Sequence, residues 1–140
     1  MKRVDQTIID RGCGDCTRDC VASLLEIEID AVPNFTRFGS NYARVLWTFL
    51  SSVNYHPIGS GYPKGDMYPF GDILKDSPNV DGFVIASVPS KSFANINHSV
   101  IIDLNGLVVH DPNPNKAWQG INVLESGDLK HWFLLERNSE

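Results

Sequence analysis

A chain of 140 residues and 15.6 kDa has the size of one domain with its own core, and 42% apolar with 21% charged residues describes a globular protein, not a low-complexity one. A formal charge of -5 and a pI near 5.2 speak against a phosphate-backbone binder, which gathers Lys and Arg on one face, so no nucleic-acid partner is expected. The opening Met1-Lys2-Arg3-Val4-Asp5-Gln6 turns polar without an apolar signal core, and no membrane-length run follows; the expectation is a cytoplasmic protein with no membrane partner.

Three cysteines, Cys13, Cys16 and Cys20, crowd together and none occurs elsewhere, the opposite of a distributed disulfide framework. The cluster points to a metal, redox chemistry or a nucleophile. Gly12-Cys13-Gly14-Asp15 reads as a loop, and 16–25 as a helix whose stripe of Cys20, Val21, Leu24 and Leu25 faces the core. Asp15 is the expected N-cap, so Cys16 opens the helix. Residues 26–35 end in Val32-Pro33-Asn34-Phe35 and read as a connector. Ser40 is the expected cap of a second helix, in which Tyr42, Val45, Leu46, Phe49, Leu50 and Val53 recur with three-and-four spacing. From Tyr55 to Asn79 the density of Gly, Pro, Tyr and Asp predicts irregular structure with one short strand, a segment suited to roofing a cleft. Strands are predicted over 83–88 and 99–104. Asn105-Gly106 then signals a two-residue hairpin loop returning through Leu107-Val108-Val109, and a last strand is expected over 131–136. Helices first and an antiparallel sheet afterwards predict an α+β fold, one domain over 1–140 with no internal repeat.

The hairpin carries a geometric consequence. With Asn105-Gly106 as the loop, Leu104 pairs with Leu107, Val100 falls opposite Asp111, and His98 opposite Asn113. His98 and Asp111 then share one face as diagonal neighbours about 7–8 Å apart, a gap an imidazole and a carboxylate can close. The same count puts His110 opposite Ile101 on the other face, a poor position for the same base. Asp111-Pro112 ends the strand, because proline removes a ladder donor and keeps the preceding residue extended. Taken singly, a strand-start histidine is often a surface residue and Asp-Pro a common terminator; their shared face is what singles them out.

A thiol at the first position of a helix lies against unsatisfied amides and the positive end of the dipole, both of which favour thiolate, so Cys16 is the candidate nucleophile. Gly12 and Gly14 allow close backbone approach, and the Cys16 amide can point at a developing oxyanion. Cys20, one turn on, reads as a small core residue. Cys13 is ambiguous. Gln6 is a candidate side-chain donor to the same oxyanion, although a glutamine near an N-terminus is by default a solvated residue.

With these residues in hand, the sequence resembles the papain-like cysteine peptidase superfamily, closest in pattern to small bacterial and phage domains akin to bacteriocin-processing (double-glycine) peptidases. The resemblance runs from Gln6 through Gly14-Asp15-Cys16, Cys20 and Val21-Ala22-Ser23-Leu24-Leu25 to Val32-Pro33-Asn34-Phe35, then Asn97-His98-Ser99-Val100-Ile101-Ile102 and His110-Asp111-Pro112. It implies a papain-like fold with N-terminal helices packed on an antiparallel sheet, a Cys16-His98-Asp111 triad, and an oxyanion hole of Gln6 and the Cys16 amide. It further implies a hydrolase acting on an amide (peptide or isopeptide) or ester carbonyl through a thioester, with a peptide, protein or other amide-containing substrate and no cofactor. Two departures are visible. Gln6 lies further from the cysteine than in much of the superfamily, and Thr17-Arg18-Asp19 replaces smaller apolar residues, so the charged pair is expected to shape the substrate entrance.

Three other readings compete. Cys13, Cys16 and Cys20 with His98 or His110 could hold zinc, although no second close-spaced ligand pair exists. Cys13-Gly14-Asp15-Cys16 is a CxxC at a helix start, yet too little chain precedes it for the βαβ setting of redox modules. A papain-like shape could also serve a non-catalytic binding protein.

Overall fold

The computed structural model describes residues 1–7, 14–59 and 80–139, so most of the expected roofing segment, together with Gly12 and Cys13, lies outside the described residues. Helix α1 (Cys16–Leu25) has the expected span: Cys20, Val21 and Ala22 are fully buried, and Leu24 and Leu25 pack at the margin of the same core. Asp15 occupies the N-cap position, but its side chain makes no capping bond; its carboxylate accepts the Thr7 hydroxyl at 2.8 Å instead. The helix ends at Glu26, whose left-handed conformation (φ 56) returns its N–H to the Ala22 carbonyl.

The connector is held from inside by Arg18, whose Nε donates to the carbonyls of Ile29 (3.1 Å) and Val32 (2.7 Å). Helix α2 (Tyr42–Ser52) is not capped by Ser40. A 3-10 stretch, Phe35–Asn41, broken at Gly39 (φ 54), runs straight into it, so the preceding turn leads into the helix where a capping side chain was expected. The inward face is nonetheless the expected one. Leu46 and Leu50 are buried, and Tyr42 and Phe49 meet the buried Phe35 ring.

Among the described residues five strands follow: β1 (Tyr55–Ile58), β2 (Val80–Pro89), β3 (Asn97–Asp103), β4 (Val108–His110) and β5 (His131–Arg137). They pair antiparallel throughout in the order β1-β5-β2-β3-β4, which establishes the α+β class. One sheet face, through Ile85, Ile101 and Leu135, packs on the helices. The opposite face, through Val84, Ala86, Val88, Val100, Ile102 and Leu134, is covered by Trp118, Val123, Leu124 and Leu129 from the long connection between β4 and β5. Burial on both faces explains why β2 and β3 read as continuous apolar runs without alternation.

The β3–β4 turn differs from the expected two-residue loop. Asp103 N donates to Leu107 O at 2.9 Å and Gly106 N to Asp103 O at 3.1 Å, giving a three-residue loop with Gly106 at φ 93. A bulge between Ile101 and Ile102 absorbs the extra residue, so Ile101 still faces His110. Two one-residue offsets cancel, and the relation between His98 and Asp111 survives.

The N-terminal arm lies between α1 and the end of β4. Lys2 N donates to Ser23 O at 2.9 Å and Val4 N to Ser23 Oγ at 2.8 Å. On the other side His110 Nε2 bonds Val4 O at 2.7 Å, Lys116 pairs with Asp5, and Gln6 N donates to Pro112 O at 2.7 Å. Among the described residues no helix is long and apolar enough to cross a membrane.

Candidate active site

Cys16 is the first residue of α1, where the helix leaves its amides unsatisfied. Its sulfur accepts the Ser99 N–H at 3.4 Å and is hydrogen-bonded to His98. Burial alone would raise the thiol's pKa, but the His98 hydrogen bond and charge, with the Ser99 amide, outweigh it and hold the pKa below the ordinary value. Beside it, the Thr17 and Ser99 hydroxyls share a 2.8 Å hydrogen bond that ties the helix tip to β3.

His98 enters from β3 on the face of Val100 and Ile102, nearly buried. Its Nε2 lies 2.7 Å from Asp111 Oδ1, which leaves Nδ1 for the sulfur. Burial pulls the imidazole pKa down; the hydrogen bonds to Asp111 and Cys16 and the charges on both partners more than reverse this, to about 9. Asp111 itself is 1% exposed. Burial would raise its pKa, but His98 and the amides of Trp118 (3.0 Å, to Oδ2) and Asn113 (3.0 Å, to Oδ1) hold it low. Gln119 Oε1 accepts the Asp111 N–H at 2.9 Å while its Nε2 donates to Val109 O at 2.7 Å, so the carboxylate's backbone is fixed as well.

Gln6, Gly14, Cys16, Thr36, His98 and Asn113 line one cleft of about 100 Å³, with Phe93 and Ile96 along the same wall. Gln6 is nearly buried there, delivered by the N-terminal arm despite its distance from Cys16 in sequence. The four residues singled out as triad and oxyanion donor therefore converge. No protein-family model, curated protein or solved structure matches this chain significantly.

The remaining titratable candidates separate cleanly. Cys20 is fully buried in the helical core, and burial pushes its thiol pKa well up, in keeping with a packing role. His110 faces away from His98 and bonds Val4 O. Among the described residues no three His, Cys, Asp or Glu side chains are placed to hold a metal, and Cys13 lies outside them. Among the described residues, Arg18 and Asp19 are not part of the cleft lining, contrary to the expectation that they shape its entrance. Arg18 is engaged with the connector, and Asp19 is fully buried, where burial and the neighbouring Asp15 carboxylate push its pKa up to about 9. Sequence reasoning missed Ser99, Trp118 and Asn113, which act through backbone amides and so carry no residue signature. Gln119 had no signal either.

Proposed function

We propose that this chain is a papain-like cysteine hydrolase acting on an amide, peptide or isopeptide, or on an ester carbonyl. The observation that carries the reading is the continuous relay from Asp111 through His98 to a sulfur at a helix N-terminus, with the thiol pKa lowered and the imidazole pKa raised. A depressed thiol beside an elevated imidazole favours the thiolate–imidazolium pair, the reactive resting form of such a nucleophile.

In the proposed cycle the Cys16 thiolate attacks the carbonyl carbon, and the oxyanion forms against the Cys16 amide and the Gln6 carboxamide. His98 gives its proton to the leaving amine as the C–N bond breaks, leaving a thioester on Cys16. His98 then takes a proton from water, which attacks the thioester and releases the acid. Asp111 keeps Nε2 protonated and the ring oriented throughout. No cofactor is needed for these steps.

The test is labelling with carbonyl-directed electrophiles of differing shape, followed by mass mapping. Modification concentrated on Cys16, lost in His98→Ala, supports the reading. Labelling spread over the cysteines, or unaffected by His98→Ala, overturns it.

A further inference from the structure

The backbone around Gln6 is tied to both sides of the cleft. The Gln6 backbone itself is tied to Pro112 on the side of the base, and the residue after it, Thr7, donates its hydroxyl to Asp15 at 2.8 Å on the side of the nucleophile. Asp15 is fully buried and immediately precedes Cys16, so this bond joins the arm to the tip of α1 directly, whatever path the chain takes between them. Thr7 itself is exposed and packs no core. A hydroxyl from an exposed residue, spanning from the arm to a buried carboxylate at the nucleophile's doorstep, is not what anchors the arm, which is already held through Lys2, Val4 and Gln6.

We propose that Thr7 is a positioning residue whose hydrogen bond to Asp15 sets the distance between the Gln6 carboxamide and the Cys16 amide, and so builds the oxyanion site. The inference rests on the proposed hydrolase reading. It predicts that Thr7 matters for reactions that generate an oxyanion and not for those that only need a thiolate, because misplacing a donor by about 1 Å costs on the order of 10²-fold.

Two probes separate these. With p-nitrophenyl acetate, the thiolate adds to the ester carbonyl, an oxyanion forms, and collapse expels p-nitrophenolate to leave acetyl-Cys16. With iodoacetamide, the S–C bond forms as iodide leaves, and no oxyanion develops. Both rates are measured at Cys16 by mass mapping in wild type, Thr7→Val, Thr7→Ser, Gln6→Ala and the double variant Thr7→Val/Gln6→Ala. The expected result is that Thr7→Val slows acetylation about 10- to 100-fold and leaves alkylation unchanged, Thr7→Ser restores acetylation, and Thr7→Val adds nothing on top of Gln6→Ala. Wild-type acetylation in Thr7→Val, or a parallel fall in both reactions, overturns the proposal while leaving the nucleophile intact. A wild-type protein whose Cys16 neither acetylates nor alkylates faster than a free thiol overturns the hydrolase reading, and this proposal with it.

Discussion

At the residue scale the site is a competition between burial and pairing. Burial works against both the Cys16 thiolate and the His98 imidazolium, and each is sustained by the other and by Asp111. The pair titrates as a unit: the thiolate–imidazolium form fills as pH rises through the lowered Cys16 pKa and empties as His98 loses its proton near 9. Turnover on an ester probe should therefore follow a bell whose alkaline limb lies near pH 9, and iodoacetamide should react well below pH 8.5, the ordinary thiol range of about 8.5. In Asp111→Ala the ring loses both its acceptor and the negative charge beside it, so the alkaline limb should move to lower pH and turnover should fall on the order of 10³-fold. Cys16→Ala should abolish turnover, whereas Cys20→Ala should cost about 1 kcal/mol of stability and leave the pH profile in place. Cys16, His98 and Asp111 were legible because each is a chemically distinctive side chain at a position that strand alternation or a helix start makes special. The amides of Ser99, Trp118 and Asn113 that complete their environment are identical in every residue but proline, so no sequence pattern announces them.

Among the elements, α1 carries a cost at its centre. Asp19 is raised from 3.8 to about 9 on folding, so the stability linked to it is fully present below about pH 3.8 and drains away as pH rises toward 9. Asp19→Asn mimics the protonated form and should remove that slope. Allowing for solvent screening, it should match wild type near pH 4 and exceed it at pH 8 by about 1–3 kcal/mol, measured by denaturant unfolding across pH. The β3–β4 loop offers the complementary case. Gly106 sits at φ 93, and a Cβ there would lie 2.7 Å from Leu124 Cγ and 2.8 Å from Asn122 Oδ1, so Gly106→Ala should destabilise by about 2–3 kcal/mol in the same measurement. The span of α1 and the inward face of α2 were readable from periodicity. The start of α2 was not, because a 3-10 turn took the place that Ser40 was expected to fill, and such a turn leaves no capping residue to find. The loop length was misjudged by one residue, since Asn105-Gly106 serves a three-residue turn as readily as a two-residue one once Asp103 Oδ1 accepts the Asn105 and Leu107 amides.

For the molecule as a whole, one sheet is lined on both sides, by helices on one and by the β4–β5 connection on the other. Because β2, β3 and β5 contribute to both linings, the two should melt together. Leu50→Ala in the helical lining and Leu134→Ala in the other should each cost about 2–4 kcal/mol, with Trp fluorescence and far-UV circular dichroism giving coincident transitions. Separated transitions would contradict this. The architecture also holds the proposed reaction centre from both faces of the shared sheet. Sulfur is mounted on the helical lining and imidazole on β3, with its side chain on the sheet face that the β4–β5 connection covers, so whatever loosens either support alters the same gap. Libraries selected for changed rates should consequently yield substitutions deep in both linings, far from any atom a substrate could touch.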